Sequence, residues 1–492
     1  MSKDYFSALS DQKIPPTYKY FDGGEWKYSA NKETMEVVSP VDNQTLGKIP
    51  KLTKSEIDGG ITYLSDKKKM WTETPVAERV KIIRLAADIL RHHEHFFTSL
   101  IIREIGKPYH EAKDEVVRSA DMMDYFGNEA INLKGEEIES SMYPGYNSDK
   151  IAFVERVPLG IILAISPFNY PLNLAVSKIA PALITGNLVV FKPATQGALT
   201  GFHLTEVLRL AGLPDGIIFT VTGDKEAVSF LISHKEINQI AFTGSSETGE
   251  SLAKQSGMVP LLFECGGNNA AIILPDANLH NTATELVSGA FSYSGQRCTA
   301  IKYVLAYDTV IEKLIPILVK KTQEKIKMGD PRNQNNNFGP LISAGAADTV
   351  EKRIYLAKIS GAGIITGGKR EGNYLEPTII DHAKPNMEIV AVETFGPILS
   401  FIRIRSMRDA IDIINQSKYG LQTSIFTEDE GAGIKLSRQL NVGSVQINGK
   451  PQRGPDHFPF TGVKASGTGV QGVGYTMKAM TRPKATVLNK PG

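Results

Sequence analysis

From residue 159 onward the sequence alternates short, continuously apolar segments with longer segments of helical periodicity. A strand that is apolar throughout is buried on both faces, as in a parallel sheet covered by helices. The alternation therefore predicts an α/β fold with doubly wound parallel sheets. It restarts after residue 265, which predicts a second α/β domain. The predicted strands are residues 161–165, 188–191, 217–223, 237–245 and 270–274.

The flanking segments predict helices and an extended arm. Residues 76–107 and about 110–130 place apolar side chains at helical spacing. Helical periodicity is lost over residues 135–158, where glycine and proline interrupt an extended pattern. We predict that this segment is a β-hairpin arm. The tail, residues 485–489, predicts a strand that pairs with the arm or with another subunit.

Composition excludes several classes of protein. Of 492 residues, 41% are hydrophobic and 22% are charged, which excludes a disordered chain. The net charge of +2 gives no sign of a nucleic-acid or membrane-surface partner. Two cysteines, Cys265 and Cys298, are too few for a disulfide framework. The sequence also lacks the CxxC pair that would predict a zinc site. Without an apolar leader or a run long enough to span a bilayer, the sequence predicts a reduced, cytoplasmic protein.

Two predicted strand ends have the composition of a cofactor site. Residues 242–251, PheThrGlySerSerGluThrGlyGluSer, follow a strand and open a helix, where backbone N–H groups bind phosphates. An ordinary strand–helix turn has the same pattern. Lys192 and Thr195, in PheLysProAlaThr, lie at another strand end. A threonine in place of a carboxylate tolerates a 2′-phosphate, so NADP is favoured and NAD is the weaker cofactor.

Two further segments carry candidate catalytic groups. Cys298 lies in TyrSerGlyGlnArgCysThr, beside an arginine that favours a reactive thiolate. Glu264 closes an apolar run and precedes CysGlyGly, a setting in which a carboxylate is tuned as a general base. A lone cysteine is also a common core residue, and a buried glutamate is also a common ion-pair partner. Taken singly, both interpretations stay open.

The order of these segments resembles that of the aldehyde dehydrogenase family, over nearly the whole chain from about residue 20. The matching segments are SerProPheAsnTyrPro (166–171), PheLysProAlaThr (191–195), PheThrGlySer (242–245), GluCysGlyGly (264–267), GlyGlnArgCys (295–298), GluThrPheGlyPro (393–397) and ProPheThrGlyValLysAlaSerGly (459–467).

The resemblance implies a fold of three parts and a set of site residues. A Rossmann-type cofactor domain comprises residues 1–134 and 159–264, and an α/β catalytic domain comprises 265–477. Residues 135–158 and 478–492 form an oligomerisation arm, which implies a homotetramer. The implied catalytic residues are Cys298, Glu264 and Asn169. The implied cofactor contacts are Ser166, Lys192, Thr195, Gly244, Ser245, Glu393 and Phe395.

Four residues extend the resemblance to one subfamily: Arg297 directly before Cys298, Tyr170 directly after Asn169, Arg118 in a helical segment, and Arg453 in AsnGlyLysProGlnArgGlyPro (448–455). With these residues the chain most resembles the NADP-dependent, non-phosphorylating glyceraldehyde-3-phosphate dehydrogenases. The resemblance implies that a phosphorylated aldehyde is bound by Arg118, Tyr170, Arg297, Thr299 and Arg453. Three guanidinium groups and a phenol are chemically suited to hold a phosphate dianion. The implied reaction is irreversible oxidation of D-glyceraldehyde 3-phosphate to 3-phosphoglycerate, through a cysteine thiohemiacetal and a thioester hydrolysed by water.

Two alternatives to this function remain at this point. Arginines also bind carboxylates, so another anionic or polar aldehyde, such as succinate semialdehyde or glyceraldehyde, fits the same residues. An inactive structural homologue would have lost catalytic groups, and none of the implied set is missing. Cys265, where relatives usually have leucine, and His457 depart from the family pattern. We expect Cys265 to be structural and have no interpretation of His457.

Overall fold

The sequence folds around two mainly parallel sheets and a separate antiparallel arm. The computed structural model describes residues 6–11 and 13–490. Within the described residues, no helix combines the length and the apolar composition needed to cross a membrane. The helices are α1 (Lys54–Glu73), α2 (Val76–His92), α3 (Glu94–Ile105), α4 (Tyr109–Glu129), α5 (Asn173–Ile184), α6 (Ala198–Leu210), α7 (Lys225–Ile232), α8 (Ser246–Gln255), α9 (Leu279–Phe291), α10 (Asp308–Lys325), α11 (Ala344–Ile359), α12 (Glu388–Ala391), α13 (Met407–Gln416), α14 (Glu430–Ser437) and α15 (Val473–Ala479).

Four short strands form two small antiparallel pairs near the start of the chain, and two more form a pair in the second half. They are β1 (Tyr20–Phe21) with β2 (Trp26–Lys27), β3 (Thr34–Val38) with β4 (Thr45–Pro50), and β15 (Arg370–Glu371) with β16 (Tyr374–Leu375).

The first large sheet has six strands, and four of its five pairings are parallel. Its five parallel strands are fully or largely buried, as the apolar segments predict. The short final strand is antiparallel and comes from a distant part of the chain. In spatial order the strands are β21 (Gly467–Thr468), β11 (Leu261–Glu264), β10 (Ile237–Thr243), β7 (Ile161–Ser166), β8 (Leu188–Pro193) and β9 (Ile218–Thr220).

The second large sheet has seven strands, and its only antiparallel pairing within the described residues is at one edge. Alternate residues of one interior strand belong to different hydrophobic clusters: Ala270 and Ile272 to one, Ala271 and Ile273 to another. Helices therefore cover both faces of this sheet. In spatial order the strands are β14 (Gly363–Thr366), β17 (Thr378–Asp381), β18 (Ile398–Arg403), β13 (Ile301–Ala306), β12 (Asn269–Ile273), β19 (Gln422–Phe426) and β20 (Ser444–Ile447).

The arm is a three-stranded antiparallel sheet of β5 (Glu136–Glu139), β6 (Lys150–Pro158) and β22 (Thr481–Asn489). The predicted pairing of the tail with the arm is therefore present within this chain, from Thr481 opposite Pro158 to Asn489 opposite Lys150. The strand begins four residues earlier than the sequence predicts.

The prediction of one helical segment over 76–107 is wrong in one respect. The segment is two helices, because His93 leaves helical geometry at φ −102° and ψ 21° and ends α2 where α3 begins. The α/β fold class is confirmed. The division into three parts at residues 134, 159, 264 and 477 stays a prediction.

Candidate active site

The carboxyl ends of the strands in the first sheet form one edge, and the candidate residues gather there. The chain runs from β7 outward to β8 and β9, then returns to the other side of β7 for β10 and β11. The point where the strand order reverses is the usual ligand site of a doubly wound sheet. Ser166 ends β7, Lys192 lies at the end of β8, Gly244 follows β10, and Glu264 ends β11.

A cavity of about 580 Å³ opens at this edge. Most of the predicted cofactor contacts line it. These are Ser166, Lys192, Gly244, Ser245, Glu393 and Phe395. Two buried hydroxyl groups in its lining, on Ser166 and Ser246, have no hydrogen-bond partner in the part of the chain that the structure describes. Ser246 begins α8, so unpaired donors and the positive end of the helix dipole lie together and fit an anionic dinucleotide.

Two basic side chains, Lys192 and Arg353, line this cavity, and Lys192 is the one at a strand end of the first sheet. Burial lowers the pKa of its ammonium to about 8, and Asp224 acts in the opposite direction. A bound phosphate would restore the charge that burial disfavours. Thr195 lies outside the lining of this cavity, two residues beyond the end of β8. The chain turns there toward α6, whose first N–H groups are held by the carboxylate of Glu104.

Glu393 and Phe395 approach this cavity from the second half of the chain. Glu393 accepts a hydrogen bond from the N–H of Gly267 at 3.1 Å, and burial raises the pKa of its carboxyl to about 7. The Phe395 ring meets that of Phe168 edge to face at 5.8 Å. The cavity therefore has an apolar wall and a polar end, which suits a ring and a ribose.

Cys298 lies where this cavity meets a second one, because it lines both. Its thiol donates a hydrogen bond to Oε1 of Glu264 at 3.4 Å. Burial, together with the negative charge of Glu264, holds the pKa of the thiol well above its usual range. The resting thiol is therefore protonated, with its proton directed at a carboxylate that is able to accept it.

The loop that carries Cys298 is held in an unusual backbone conformation. Tyr293 and Ser294 have φ values of 47° and 52°, in the left-handed region that non-glycine residues rarely adopt. The Ser294 hydroxyl donates to the Gly339 carbonyl at 2.6 Å. Asn169 donates from its side-chain amide to the Gln296 carbonyl at 3.0 Å, two residues before the thiol. The predicted oxyanion donor thus contacts the loop of the predicted nucleophile.

The second oxygen of Glu264 has its own partners. It accepts from a guanidinium nitrogen of Arg453 in a close contact and from the Thr243 hydroxyl at 3.5 Å. Lys178 in turn donates to the Thr243 hydroxyl at 2.7 Å, and burial lowers the pKa of its ammonium to about 7. Sequence reasoning did not find Lys178, because it lies within an apolar helix whose composition is typical of a core element.

The second cavity, of about 360 Å³, contains every predicted substrate contact. These are Arg118, Tyr170, Arg297, Thr299 and Arg453. Arg297 is 8% exposed and donates to the Gly289 carbonyl at 2.9 Å. Its Nε atom is buried, and no described residue accepts a hydrogen bond from it. An unpaired guanidinium N–H in a cavity that reaches the thiol suits an anionic group on the substrate.

Sequence reasoning missed four charged residues in the lining of this cavity, Glu111, Asp114, Glu115 and Lys450. Lys450 donates from its ammonium group to the Ser288 hydroxyl at 2.5 Å, and Glu111 accepts from the N–H of Tyr293 at 3.1 Å. Both had a detectable signal. Lys450 lies three residues before Arg453 in a segment already singled out, and Glu111 lies two helical turns before Arg118 on α4.

A sequence model of the aldehyde dehydrogenase family matches residues 26–486. The chain belongs to the aldehyde dehydrogenase family. It is 43% identical over 473 residues to the NADP-dependent glyceraldehyde-3-phosphate dehydrogenase of Streptococcus equinus, with 96% of this chain and 98% of that protein covered. It is 33% identical to the 3-sulfolactaldehyde dehydrogenase of Priestia aryabhattai, with 96% and 98% covered.

Among solved structures, this aldehyde dehydrogenase is similar to the NADP-dependent glyceraldehyde-3-phosphate dehydrogenase of Bacillus halodurans complexed with NADP. The TM-score is 0.94, the identity is 44%, and 96% of this chain and 99% of that one are covered. The predicted family and its fold are confirmed.

The structure explains one of the two departures from the family pattern. Cys265 is 4% exposed, and burial raises the pKa of its thiol to about 12, as expected of a structural residue. A Cβ on Gly249 would lie 2.5 Å from its sulfur, which shows how closely α8 packs there. His457 stacks on Tyr125 at 5.5 Å, on the outer side of the loop that carries Arg453. We have no functional account of His457.

Proposed function

We propose that this aldehyde dehydrogenase oxidises D-glyceraldehyde 3-phosphate to 3-phosphoglycerate with NADP. The observation that carries the proposal is the cavity on one side of Cys298. Arg118, Arg297 and Arg453 line it, and the buried Arg297 Nε is unpaired. A substrate with an aldehyde at one end and a phosphate at the other places its aldehyde at the Cys298 thiol and its phosphate against the arginines.

The reaction begins at the Cys298 thiol. The sulfur attacks the aldehyde carbon and its proton passes to Glu264, the acceptor of the existing S–H hydrogen bond. The oxyanion that forms accepts hydrogen bonds from the Asn169 side-chain amide and from the backbone N–H of Cys298. Bound NADP supplies the acceptor for the hydride whose loss converts this thiohemiacetal to a thioester. Ser166, Lys192, Ser245, Glu393 and Phe395 hold the cofactor.

The second half of the reaction releases the acid. Once its proton has left, Glu264 accepts a proton from the water molecule that attacks the thioester carbon. The carbon–sulfur bond breaks, the thiolate of Cys298 leaves, and the product leaves as the free acid. No inorganic phosphate is consumed. The reaction needs a reduced thiol, so we place it in a reducing compartment, the cytoplasm.

The test is a comparison of aldehydes in the absence of inorganic phosphate, followed by absorbance of the reduced nicotinamide. We expect rapid reduction of NADP with D-glyceraldehyde 3-phosphate and slower reduction of NAD. Turnover of glyceraldehyde, succinate semialdehyde or 3-sulfolactaldehyde without turnover of the phosphorylated substrate would contradict the substrate and leave the reaction type intact.

A pair of arginine variants tests the phosphate contact directly. Arg297→Gln should lower kcat/KM for the phosphorylated aldehyde by roughly ten- to hundredfold, the value of a lost charged hydrogen bond, and affect glyceraldehyde much less. Arg453 is a poorer probe, since its guanidinium also contacts Glu264. Arg353→Gln, on the cofactor side, is the matched control and should change kcat/KM equally for both substrates. Equal losses for Arg297→Gln would contradict the proposal.

We also propose a homotetramer assembled through the arm. Exposed apolar side chains on the arm include Ile138, Phe153, Val487 and Leu488, each more than two-fifths exposed. A sheet that exposes such residues on both faces presents apolar surface of the kind that marks a protein–protein interface. Another copy of the same sheet is the simplest partner, since most oligomers are symmetric.

A further inference from the structure

Lys107 is fully buried beneath the substrate cavity, between the rings of two tyrosines. Its ammonium nitrogen lies 3.5 Å from the centre of the Tyr170 ring and 4.7 Å from that of Tyr293. Its side chain has no exposed surface. Both tyrosines belong to the active-site segments: Tyr170 follows Asn169, and Tyr293 begins the loop that leads to Cys298.

The counter-charge of Lys107 fixes the first of these segments. The ammonium donates to Oε2 of Glu115 at 2.5 Å, and neither side chain has any exposed surface. The other oxygen of Glu115 accepts from the N–H groups of Leu172 and Asn173 at 2.9 and 3.1 Å. These N–H groups lie at the start of α5, directly after the Asn169–Tyr170 turn, where backbone donors have no acceptor within the helix. The ion pair therefore anchors that turn.

The second ring fixes the nucleophile loop. Tyr293 donates from its hydroxyl to the Ile105 carbonyl at 3.0 Å, two residues before Lys107. Its left-handed backbone persists only where its surroundings impose it. The Lys107 ammonium against one face of this ring, the hydroxyl bond and the N–H bond to Glu111 supply three such constraints.

A buried ion pair is a poor way to obtain stability. Burial lowers the pKa of the Lys107 ammonium against the opposing effect of Glu115, and well-packed apolar residues commonly replace such pairs without loss. We propose that Lys107 is a positioning residue, which holds the Asn169–Tyr170 turn and the Tyr293–Cys298 loop at a fixed separation and so aligns the oxyanion donor with the thiol. The inference rests on the roles proposed above for Asn169 and Cys298.

The test removes the charge in two ways and follows kcat separately from KM. Lys107→Met leaves the Glu115 carboxylate buried without its counter-charge. We therefore compare it with the double variant Lys107→Met/Glu115→Gln. The glutamine oxygen remains an acceptor for the start of α5, and no uncompensated charge remains. The matched control is Arg403→Met/Asp381→Asn, which removes an ion pair of 2.7 Å in the second large sheet.

We expect the double variant at Lys107 to lose kcat by roughly ten- to hundredfold, the usual effect of a misaligned reacting pair. The loss should be similar for D-glyceraldehyde 3-phosphate and for glyceraldehyde, with KM for NADP unchanged. The control should retain kcat at a comparable thermal midpoint. Wild-type kcat in the folded double variant, or a loss confined to KM of the phosphorylated substrate, would overturn the proposal. If the wild type oxidises glyceraldehyde alone, the proposed substrate fails, and the Lys107 comparison is still made on that aldehyde.

Discussion

At the scale of single residues, the Cys298 thiol and the Glu264 carboxylate control each other's protonation. The carboxylate 3.4 Å away raises the pKa of the thiol, in addition to the larger effect of burial. Glu264→Gln removes the negative charge and should lower that pKa, so more thiolate is present at a given pH. The measurement is the rate of Cys298 alkylation by iodoacetamide as a function of pH, without aldehyde or cofactor. Its midpoint should move to lower pH in the variant.

The same experiment contains an internal control. Cys265 is only 4% exposed, whereas Cys298 is partly exposed where the two cavities meet, so mass spectrometry should find the label on Cys298 alone in both proteins. An unchanged midpoint in Glu264→Gln would show that the carboxylate does not influence the thiol and would weaken its assignment as the proton acceptor.

Single residues also show how far the sequence predicts the site. Cys298 and Glu264 are 34 positions apart, and flanking residues sufficed to single out both. Their contact depends on the pairing of β10 with β11 and on the loop after α9, which no local pattern encodes. Arg453 was predicted to bind substrate, yet it also contacts Glu264 across 189 positions. Long-range partners of a charge are invisible to spacing rules.

At the scale of elements, buried carboxylates anchor the two helices that follow the first two strands of the doubly wound sheet. Glu115 binds the start of α5, and Glu104 binds the start of α6 through the N–H groups of Gly197, Leu199 and Thr200 and the Thr200 hydroxyl. The helices themselves were predictable from periodicity. Their anchors were not, because an isolated glutamate in a helical segment resembles a solvated surface residue.

The Glu104 anchor predicts a specific pH dependence of stability. Burial raises the pKa of its carboxyl from 4.5 to about 7, although the hydrogen bonds it accepts act in the opposite direction. Between these values the folded chain binds a proton that the unfolded chain does not. The contribution of this bound proton to the free energy of unfolding is therefore complete below about pH 4.5 and is lost as pH rises through about 7.

Glu104→Gln removes this titration and replaces one acceptor oxygen with a donor. At about pH 5 we expect the wild type to be more stable by about 1–3 kcal/mol, and we expect the difference to narrow toward pH 8. Thermal denaturation of both proteins across that pH range is the measurement. A constant difference would show that Glu104 has the same protonation state in the folded and unfolded chains.

At the scale of the whole molecule, the chain exposes more surface than a compact monomer of its mass, and the arm exposes apolar side chains. A monomer of 53.7 kDa is expected to expose roughly 18,000 Å², whereas this chain exposes 21025 Å². Adjacent residues of a strand face opposite sides, so Val487 and Leu488, about half exposed, present apolar groups on both faces of the arm. The hairpin was predictable from the loss of helical periodicity, but the proposed partner, a second copy, lies outside the single chain.

Charging both faces of this strand should therefore prevent assembly. We expect light scattering to give the wild type a mass of four times 53.7 kDa and to give Val487→Lys/Leu488→Lys a smaller multiple. The backbone ladder to Ala152 and Ile151 does not depend on these side chains, so the arm itself should still form. Leu85→Lys/Tyr355→Lys adds the same charge at exposed apolar positions on α2 and α11, and it should keep the wild-type mass. An unchanged mass in the arm variant would exclude this surface as the interface, whereas a smaller mass in both variants would indicate that net charge is responsible.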